Sequence, residues 1–339
     1  MTATLPALEP VEEQSERSRL SAWMQTAVSF VSRQYLVVVV VVAFLAVGVV
    51  KPSFWGAGNI ENILFETAFV GIAACGMVLL ITGGLLDLSV AGILAVSAIA
   101  VGTALPHTTI GVVIVLAIGV GAALGLVNGL LITYVRIAPF IATLGTLYLF
   151  LGASFIWTGG SVVSVTSRNF RAFTTGSIGV VPYAFIALIV LAVITYFLLY
   201  RTSFGRTLRA VGSNERAAQL AGMQVNRTKV LVFVVAGICF ALAGVFMAGR
   251  LSSAEANMAT GLEMNVIAAV VVGGTALRGG RGTVFGAVVG ALLFAVLSKA
   301  LNMLGVASYW QYVVTGSVLV VAVAVGAWRR SAAEVRGAG

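Results

Sequence analysis

The chain has 339 residues, of which 60% are hydrophobic and only 9% are charged. Soluble domains carry about 25% charged residues, so this composition excludes an ordinary soluble protein and predicts a membrane protein. The net charge of +9 does not indicate nucleic-acid binding, because the few basic residues stand at the ends of apolar segments, as residues that set membrane topology do.

Residues 1–20 are polar and contain no apolar stretch, so they predict a disordered cytoplasmic tail rather than a signal peptide. From Trp23 to Tyr35 a polar stripe predicts an amphipathic helix on the membrane surface. An inward extension of the first membrane span explains the same stripe equally well. In either case residues 1–34 precede the membrane domain.

Apolar runs long enough to cross a bilayer, about 20 residues each, recur along the chain. They predict an all-α polytopic membrane protein with about ten transmembrane helices, at 35–50, 62–82, 88–105, 110–135, 138–158, 180–200, 230–250, 264–278, 283–305 and 309–328. The membrane domain is therefore 35–328, and 329–339 forms a second tail.

The basic residues predict the orientation of these segments. If the N-terminus is inside, fifteen fall on the inner side and five fall outside or near outer ends, namely Lys51, Arg168, Arg171, Arg250 and Lys299. Because Lys and Arg are enriched in cytoplasmic loops, we expect both termini in the cytoplasm.

Glycines repeat every four residues in two of the segments. Lipid gives helices no hydrophobic reason to associate, so small residues that allow close backbone contact are favoured where helices meet. We expect helix-packing grooves at Gly121, Gly125 and Gly129, and at Gly282, Gly286 and Gly290.

A long inner loop, 201–229, reads RTSFGRTLRAVGSNERAAQLAGMQVNRTK. Ser213 or Asn214 is a plausible N-cap and Gly222 a plausible stop, so ERAAQLA predicts a helix of about two turns. Its small apolar surface suits docking into a cleft on another protein. A solvated connector is the other interpretation that the loop alone allows.

Two further features are candidates for a route through the membrane. They are the glycine-rich interruptions at 82–92 and 271–286 and a few polar residues inside the spans. Broken helices are tolerated in a membrane only where protein covers them or where they line a wet cavity, and in transporters they often shape the substrate route. Glu66 is the most conspicuous polar residue, since an ionisable group inside a span is unfavourable. Cys75 and Cys239 lie in apolar segments and predict packing rather than a disulfide or metal site.

Asp87 is the only aspartate in the chain and lies in ITGGLLDLSVAG. The predicted topology places it at the inner side, where one helix ends and the next begins. We expect it to cap the following helix and to meet the positive end of the helix dipole, in preference to contacting substrate. A role in an inner gate is compatible with capping.

Four separated blocks resemble one family. They are NILFETAFVGIAACGMVLLITGGLLDLSVAGILAVSA, GLVNGLLITYVRIAPFIATLGTLYLFLGASFIWTGG, FGRTLRAVGSNERAAQLAGMQVNRTKVLVFVVAGICFALAGVF and VIAAVVVGGTALRGGRGTVFGAVVGALL. In this order they resemble the permease subunits of bacterial ATP-binding cassette (ABC) importers for monosaccharides of the ribose, xylose and autoinducer-2 type. The likeness extends from Asn59 to Trp328. One departure is that Leu85 and Leu86 stand where the family usually has one residue before the aspartate.

The resemblance implies a subunit of the bacterial inner membrane that pairs with a second permease, with cytoplasmic ABC ATPases and with an extracytoplasmic sugar-binding protein. It implies that the loop is the coupling helix that rests on the ATPase, with contacts from Arg209, Gly212, Asn214, Glu215, Arg216, Ala217, Ala218 and Gly222. Candidates for the translocation path or gate are Glu66, Thr82, Asp87 and Asn128.

We expect no catalytic residue, metal or cofactor on this chain. No Gly-x-x-x-x-Gly-Lys-Ser/Thr loop is present, so ATP and Mg are expected on the partner ATPase. A permease for branched-chain amino acids or nucleosides is the nearest alternative, although the sparse ionisable residues favour a neutral ligand. An ion-coupled secondary transporter would need buried carboxylate relays, and only Glu66 and Glu263 could serve. A membrane anchor without transport does not account for the interruptions and the loop.

Overall fold

The computed structural model describes residues 35–307 and, beyond them, residues 309–310, 313–318, 320 and 324. The predicted tail and amphipathic helix at 1–34, the tail at 329–339 and most of the predicted segment 309–328 lie outside the described residues.

The described chain is built almost entirely from α-helices. They are α1 (Tyr35–Val50), α2 (Ala57–Thr82), α3 (Val90–Ala104), α4 (Ile110–Thr133), α5 (Pro139–Thr158), α6 (Arg168–Thr175), α7 (Tyr183–Arg201), α8 (Ser203–Ser213), α9 (Glu215–Leu220), α10 (Val225–Leu251), α11 (Leu262–Val272) and α12 (Val284–Met303). Short 3₁₀ turns lie at Pro52–Trp55 and Leu105–His107. Two antiparallel strand pairs join β1 (Val163–Ser164) to β4 (Ser253–Ala254) and β2 (Ser177–Ile178) to β3 (Val181–Pro182).

The prediction of an all-α polytopic membrane protein is confirmed. Seven of the described helices are long and apolar enough to span a membrane, and α1 and α11 are shorter apolar helices. Each predicted segment from 35–50 to 283–305 corresponds to one of these nine. The largest differences are at the ends: α2 and α10 begin at Ala57 and Val225, several residues before the predicted starts, and α11 ends at Val272 instead of 278.

Helix α2 is the centre of the bundle. Every residue from Val70 to Thr82 is buried, because α7, α10, α11 and α12 all pack against this helix. A helix that is covered on all sides is apolar around its whole circumference, and α2 has this composition in its second half. The other helices therefore take their positions around α2.

Helices α4 and α10 form the most extensive contact between described elements. A Cβ atom on Gly121 would overlap the carbonyl oxygen of Gly237, and one on Gly125 would overlap that of Phe233. Gly129 lies against Val230 in the same row. This face of α4 is a groove that accepts the backbone of α10, as small residues in membrane helices allow.

The second glycine triplet divides between two locations. Gly286 and Gly290 lie on α12 and contact the carbonyl groups of Gly273 and Ala269, at the end of α11. Gly282 precedes α12, which begins at Val284, and faces the side chain of Thr82. The expectation of one groove through all three residues is therefore wrong, because the four-residue spacing continues beyond the start of the helix.

The connections between helices lie on two opposite faces. One face, which we call the basic face, consists of the connections 83–89, 134–138, 202–224 and 273–283. Contacts of Gly84 with Gly212 and with Arg278 hold parts of it together. The opposite face carries connections 51–56, 105–109, 159–182 and 252–261, and the pairing of β1 with β4 joins two of these. The two interruptions predicted at 82–92 and 271–286 connect consecutive helices on the basic face.

The close α4–α10 contact predicts that one methyl group added to a glycine of α4 lowers the stability of the protein. Gly125→Ala forces the two backbones apart, and we expect a loss of about 1–3 kcal/mol in the free energy of unfolding, as for other overpacked cores. Gly119→Ala on the same helix is the matched control, because a Cβ there meets no atom within 4 Å. Unfolding of the detergent-solubilised variants measures both effects; equal stability of the two variants would contradict the packing described here.

Candidate functional site

The most polar site in the described interior surrounds Asp87, in the connection between α2 and α3. Its side chain is fully buried. Oδ1 accepts hydrogen bonds from the backbone N–H of Ser89 at 2.7 Å and from the Ser89 hydroxyl at 2.6 Å. Oδ2 accepts a longer bond, 3.3 Å, from Nδ2 of Asn128 on α4. A carboxylate at this position is therefore held by neutral donors.

The same network continues to a third helix. Nδ2 of Asn128 donates to Oγ of Ser89 at 2.7 Å, and Oδ1 of Asn128 accepts from the hydroxyl of Thr146 on α5 at 2.7 Å. Ser89, Asn128 and Thr146 are all buried. We call Asp87, Ser89, Asn128 and Thr146 the polar network. Because a buried polar group without a partner is unfavourable, the network fixes the α2–α3 connection, α4 and α5 relative to one another.

Asp87 does not cap α3 as expected. Helix α3 begins at Val90 with Ser89 as its N-cap residue. The Asp87 carboxylate bonds to Ser89 itself, two residues along the chain, which is the short Asx-type turn that aspartate side chains form. Asp87 therefore shapes the entry to α3 and faces α4, instead of contacting the first turn of the helix.

The four residues predicted for the path or gate do not lie together. Thr82, Asp87 and Asn128 are fully buried near the basic face, so none of them lines an open route in this conformation. The hydroxyl of Thr82 donates to the carbonyl of Val78 at 2.5 Å. Glu66 lies about four turns of α2 away from Thr82, on the side of the opposite face.

Glu66 lines a cavity of about 200 Å³ between α2, the start of α11 and the end of α12. Its carboxylate lies 4.0 Å from the ammonium group of Lys299, and both side chains are about one quarter exposed. Thr260, Asn265 and Ser298 contribute further polar groups to the wall. The cavity is small and half-polar, which suits a ligand with several hydroxyl groups better than an apolar one.

The short helix predicted in the inner loop is present as α9. Asn214 is its N-cap, and the Asn214 side chain accepts a hydrogen bond from the backbone N–H of Ala217 at 3.0 Å. Gly222 follows the helix with a φ of +75°, a conformation that favours glycine. Ala218 is buried against Val211 and Val225, and Leu220 is 79% exposed. Helix α9 is therefore anchored on one side and presents an apolar residue on the other.

Charges flank the exposed side of α9. The carboxylate of Glu215 lies 2.6 Å from the ammonium group of Lys229 on α10. Arg216, Ala217 and Gly222 are exposed. Of the eight residues predicted for the docking surface, three do not lie on the exposed side. Ala218 is buried, Arg209 is half-buried over the ring of Tyr200, 5.6 Å from its centre, and Gly212 packs against Thr82.

Gly212 belongs to a contact of several backbone segments that the sequence did not predict. A Cβ on Gly212 would overlap the carbonyl oxygen of Thr82, and the same oxygen accepts a hydrogen bond from the N–H of Gly280 at 2.8 Å. A Cβ on Gly279 would meet the oxygen of Gly212 at 2.6 Å and the nitrogen of Gly84 at 2.8 Å. We call Gly84, Gly212, Gly279, Gly280 and the Thr82 carbonyl the glycine junction.

The glycine junction connects α9 to the centre of the bundle. Gly212 is one residue from the end of α8 and two residues before the N-cap of α9. Its partners are the end of α2 and the connection between α11 and α12. The backbone of Gly212 touches both elements directly, so α9 is joined to them without an intervening side chain.

Comparisons with known proteins agree with one another. Residues 59–323 match the family described as branched-chain amino acid transport system / permease component. The chain is 38% identical over 318 residues to the ribose import permease protein of Bacillus subtilis (strain 168), covering 93% of this chain and 97% of that protein. It is 36% identical over 316 residues to the L-arabinose ABC transporter permease protein of Azospirillum brasilense, covering 93% and 92%.

A third relative gives the same result. The galactose/methyl galactoside import permease protein of Haemophilus influenzae (strain ATCC 51907 / DSM 11121 / KW20 / Rd) is 35% identical over 295 residues, which cover 81% of this chain and 88% of that protein. The similarity therefore extends over most of each chain, and the residues matched by the family, 59–323, include the polar network and the glycine junction.

The polar network predicts that two mutations within it have effects on stability that do not simply add. Asp87→Ala and Asn128→Ala each leave the other residue without one of its partners, so we expect their combined loss of stability to differ from the sum by about 0.5–3 kcal/mol. Unfolding of the single and double variants in detergent measures this coupling. Ser97→Ala is the control, because Oγ of Ser97 on α3 is buried without a hydrogen-bond partner in the described structure, and its removal should change stability little. Additive losses at Asp87 and Asn128 would refute a coupled network.

Proposed function

Because the chain belongs to the permease-component family of ABC transporters, we propose that it is the membrane-spanning subunit of an importer for a monosaccharide. The observation that carries this proposal is the similarity, over more than four fifths of this chain, to relatives named for ribose, arabinose and galactose import. Such a subunit provides the route through the membrane and is not an enzyme. The seven long apolar helices fit a multi-pass protein of the inner membrane.

The family description names branched-chain amino acids, and this is the second candidate substrate class. A zwitterionic amino acid needs groups for both its carboxylate and its ammonium. The described spans carry few ionisable residues, and Glu66 and Lys299 already lie near each other. Hydroxyl, amide and carboxylate groups around the Glu66 cavity are chemically suited to a polyhydroxylated ligand, which supports the sugar.

A direct uptake experiment tests the substrate class. The chain is co-expressed with its ATPase, and right-side-out vesicles loaded with ATP and supplied with the binding protein outside are assayed for accumulation of labelled ribose, arabinose, galactose and leucine. We expect accumulation of at least one of the sugars and none of leucine. Accumulation of leucine alone would replace the proposed substrate, and accumulation without any ATPase would refute the assignment to an ABC importer.

We propose that the basic face is cytoplasmic, so that both termini are cytoplasmic as well. The support is the excess of Lys and Arg in its connections, among them Arg136, Arg206, Arg216, Arg278 and Arg281, as the positive-inside rule requires. The Glu66 cavity then lies in the outer half of the membrane and receives the sugar from an extracytoplasmic binding protein. A second permease, identical or related, completes the channel.

Helix α9 is the proposed contact with the ATPase, which binds ATP and Mg. Leu220 supplies an exposed apolar residue, and Arg216 supplies a charge at the rim, a common arrangement for an interface. Closure of the ATPases on nucleotide moves α9, and the glycine junction passes this motion to the end of α2 and to the 273–283 connection. Packed elements with two discrete arrangements convert such motion into alternating access.

Docking and transmission are separable by mutation. Leu220→Asp places a charge in the proposed interface and should abolish co-purification of the ATPase. Gly212→Ala separates the backbones of the glycine junction but leaves α9 exposed, so it should retain the ATPase and lose most sugar uptake. Gly111→Ala, where a Cβ meets no atom within 4 Å, is the control for both. The proposal fails if Leu220→Asp retains the ATPase, or if Gly212→Ala transports normally.

A further inference from the structure

A groove on the membrane-facing side of the bundle lies close to the basic face. It has a volume of about 420 Å³ and separates the start of α1 from the end of α7 and the start of α12. Leu36, Val37, Phe285 and Val289 form its apolar walls, and Tyr196 and Arg201 stand at the end of α7. None of the roles described above uses this groove.

The walls of the groove face lipid. Phe285 is 63% exposed and Tyr196 is 45% exposed, although both lie on helices that are long and apolar enough to span the membrane. Further apolar residues of α7, such as Val193 and Phe197, are exposed on the same helix. An occupant of the apolar part of the groove must therefore come from the bilayer, and an acyl chain has the required shape and polarity.

The mouth of the groove is positively charged. Arg201 is the last residue of α7 and is exposed, and among the described residues it forms no ion pair. Arg209 lies above Tyr200, a residue that also lines the groove. The two described carboxylates of the basic face are both engaged, Asp87 in the polar network and Glu215 with Lys229. The charge of Arg201 is therefore available to an anion.

We propose that this groove binds an anionic phospholipid, with an acyl chain between α1, α7 and α12 and with its phosphate group on Arg201. Arginine is suited to phosphate because its planar guanidinium group donates two parallel hydrogen bonds. Basic pockets between transmembrane helices on the cytoplasmic side are typical sites for anionic lipid headgroups. A zwitterionic lipid fills the same apolar groove, but its headgroup is attracted less strongly to Arg201 because it carries no net charge.

A lipid bound in the groove lies against contacts that hold three helices together. The hydroxyl of Tyr200 donates a hydrogen bond to the carbonyl of Gly282, and Gly286 packs on the carbonyl of Gly273. These contacts hold α7 and α11 to α12 beside the glycine junction. A lipid that binds only the folded chain stabilises it by mass action, so its effect is measurable as a change in thermal stability.

The test uses the full chain purified in a neutral detergent and titrated with dioleoyl-phosphatidylglycerol or dioleoyl-phosphatidylcholine. We expect phosphatidylglycerol to raise the thermal unfolding midpoint by several degrees more than phosphatidylcholine. Arg201→Gln should lose more than half of this difference. Arg206→Gln should keep it, although it removes the same charge from the same face, because exposed Arg206 lies outside the groove.

Three results would overturn the proposal: equal stabilisation by the two lipids, equal losses in the two variants, or a larger loss in Arg206→Gln. A second measurement does not depend on the stability of Arg201→Gln. Phe285→Trp adds a fluorophore in the groove wall to the five tryptophans of the chain, and the fluorescence that it adds over the parent chain should be quenched by brominated phosphatidylglycerol at lower lipid fractions than by brominated phosphatidylcholine. Identical quenching curves would also contradict selective binding.

Discussion

The structure depends on direct contact between polypeptide backbones. In a bilayer the apolar side chains of a helix gain nothing by leaving lipid for another helix, so tight packing requires small residues at the contact. Gly121 and Gly125 allow α10 to lie in the surface of α4, and Gly286 and Gly290 do the same for α11 and α12. Gly212 extends the principle to the basic face, where the end of α8 meets the end of α2. The connection between α9 and the centre of the bundle thus consists of the same kind of backbone contact that holds the bundle together.

Two kinds of contact with different properties meet at the end of α2. The glycine junction consists of close backbone contacts and one backbone hydrogen bond, from the N–H of Gly280 to the carbonyl of Thr82. The polar network, a few residues further along the chain, consists of directional hydrogen bonds that are lost together when α4 or α5 rotates. Asp87 has no cation among its hydrogen-bond partners, and the network can therefore rearrange without separating an ion pair. The end of α2 is thus held both by close backbone packing and by a side-chain network that contains no ion pair.

Local signals in the sequence predicted the helices and α9, because a cap, a stop and an apolar stripe lie within a few residues of one another. Helix α8 was missed because Phe204, Leu208 and Val211 are separated by arginines in a stretch of low hydropathy. The bond between Asn128 and Thr146 joins residues 18 positions apart, and the Asp87–Asn128 bond spans 41 positions. No local pattern encodes such pairs. Gly212 was predicted for the contact with the ATPase and Gly280 had no individual role, because no local pattern shows that the fold brings their backbones together.

Helix α11 has 11 residues and is therefore about 16 Å long, roughly half the hydrocarbon thickness of a bilayer. Since it ends at the basic face, its first residue lies near the middle of the bundle, and the preceding segment 253–261 runs inward from the opposite face to reach it. Irregular backbone at that depth must be shielded by protein, and the alanines at 254, 256 and 259 are buried accordingly. Residues 253–261 thus take the place of the other half of a full-length span, and Thr260 lines the cavity beside Glu66. A solute bound in that cavity, as we propose for the sugar, has only the half of the barrier next to the basic face left to cross.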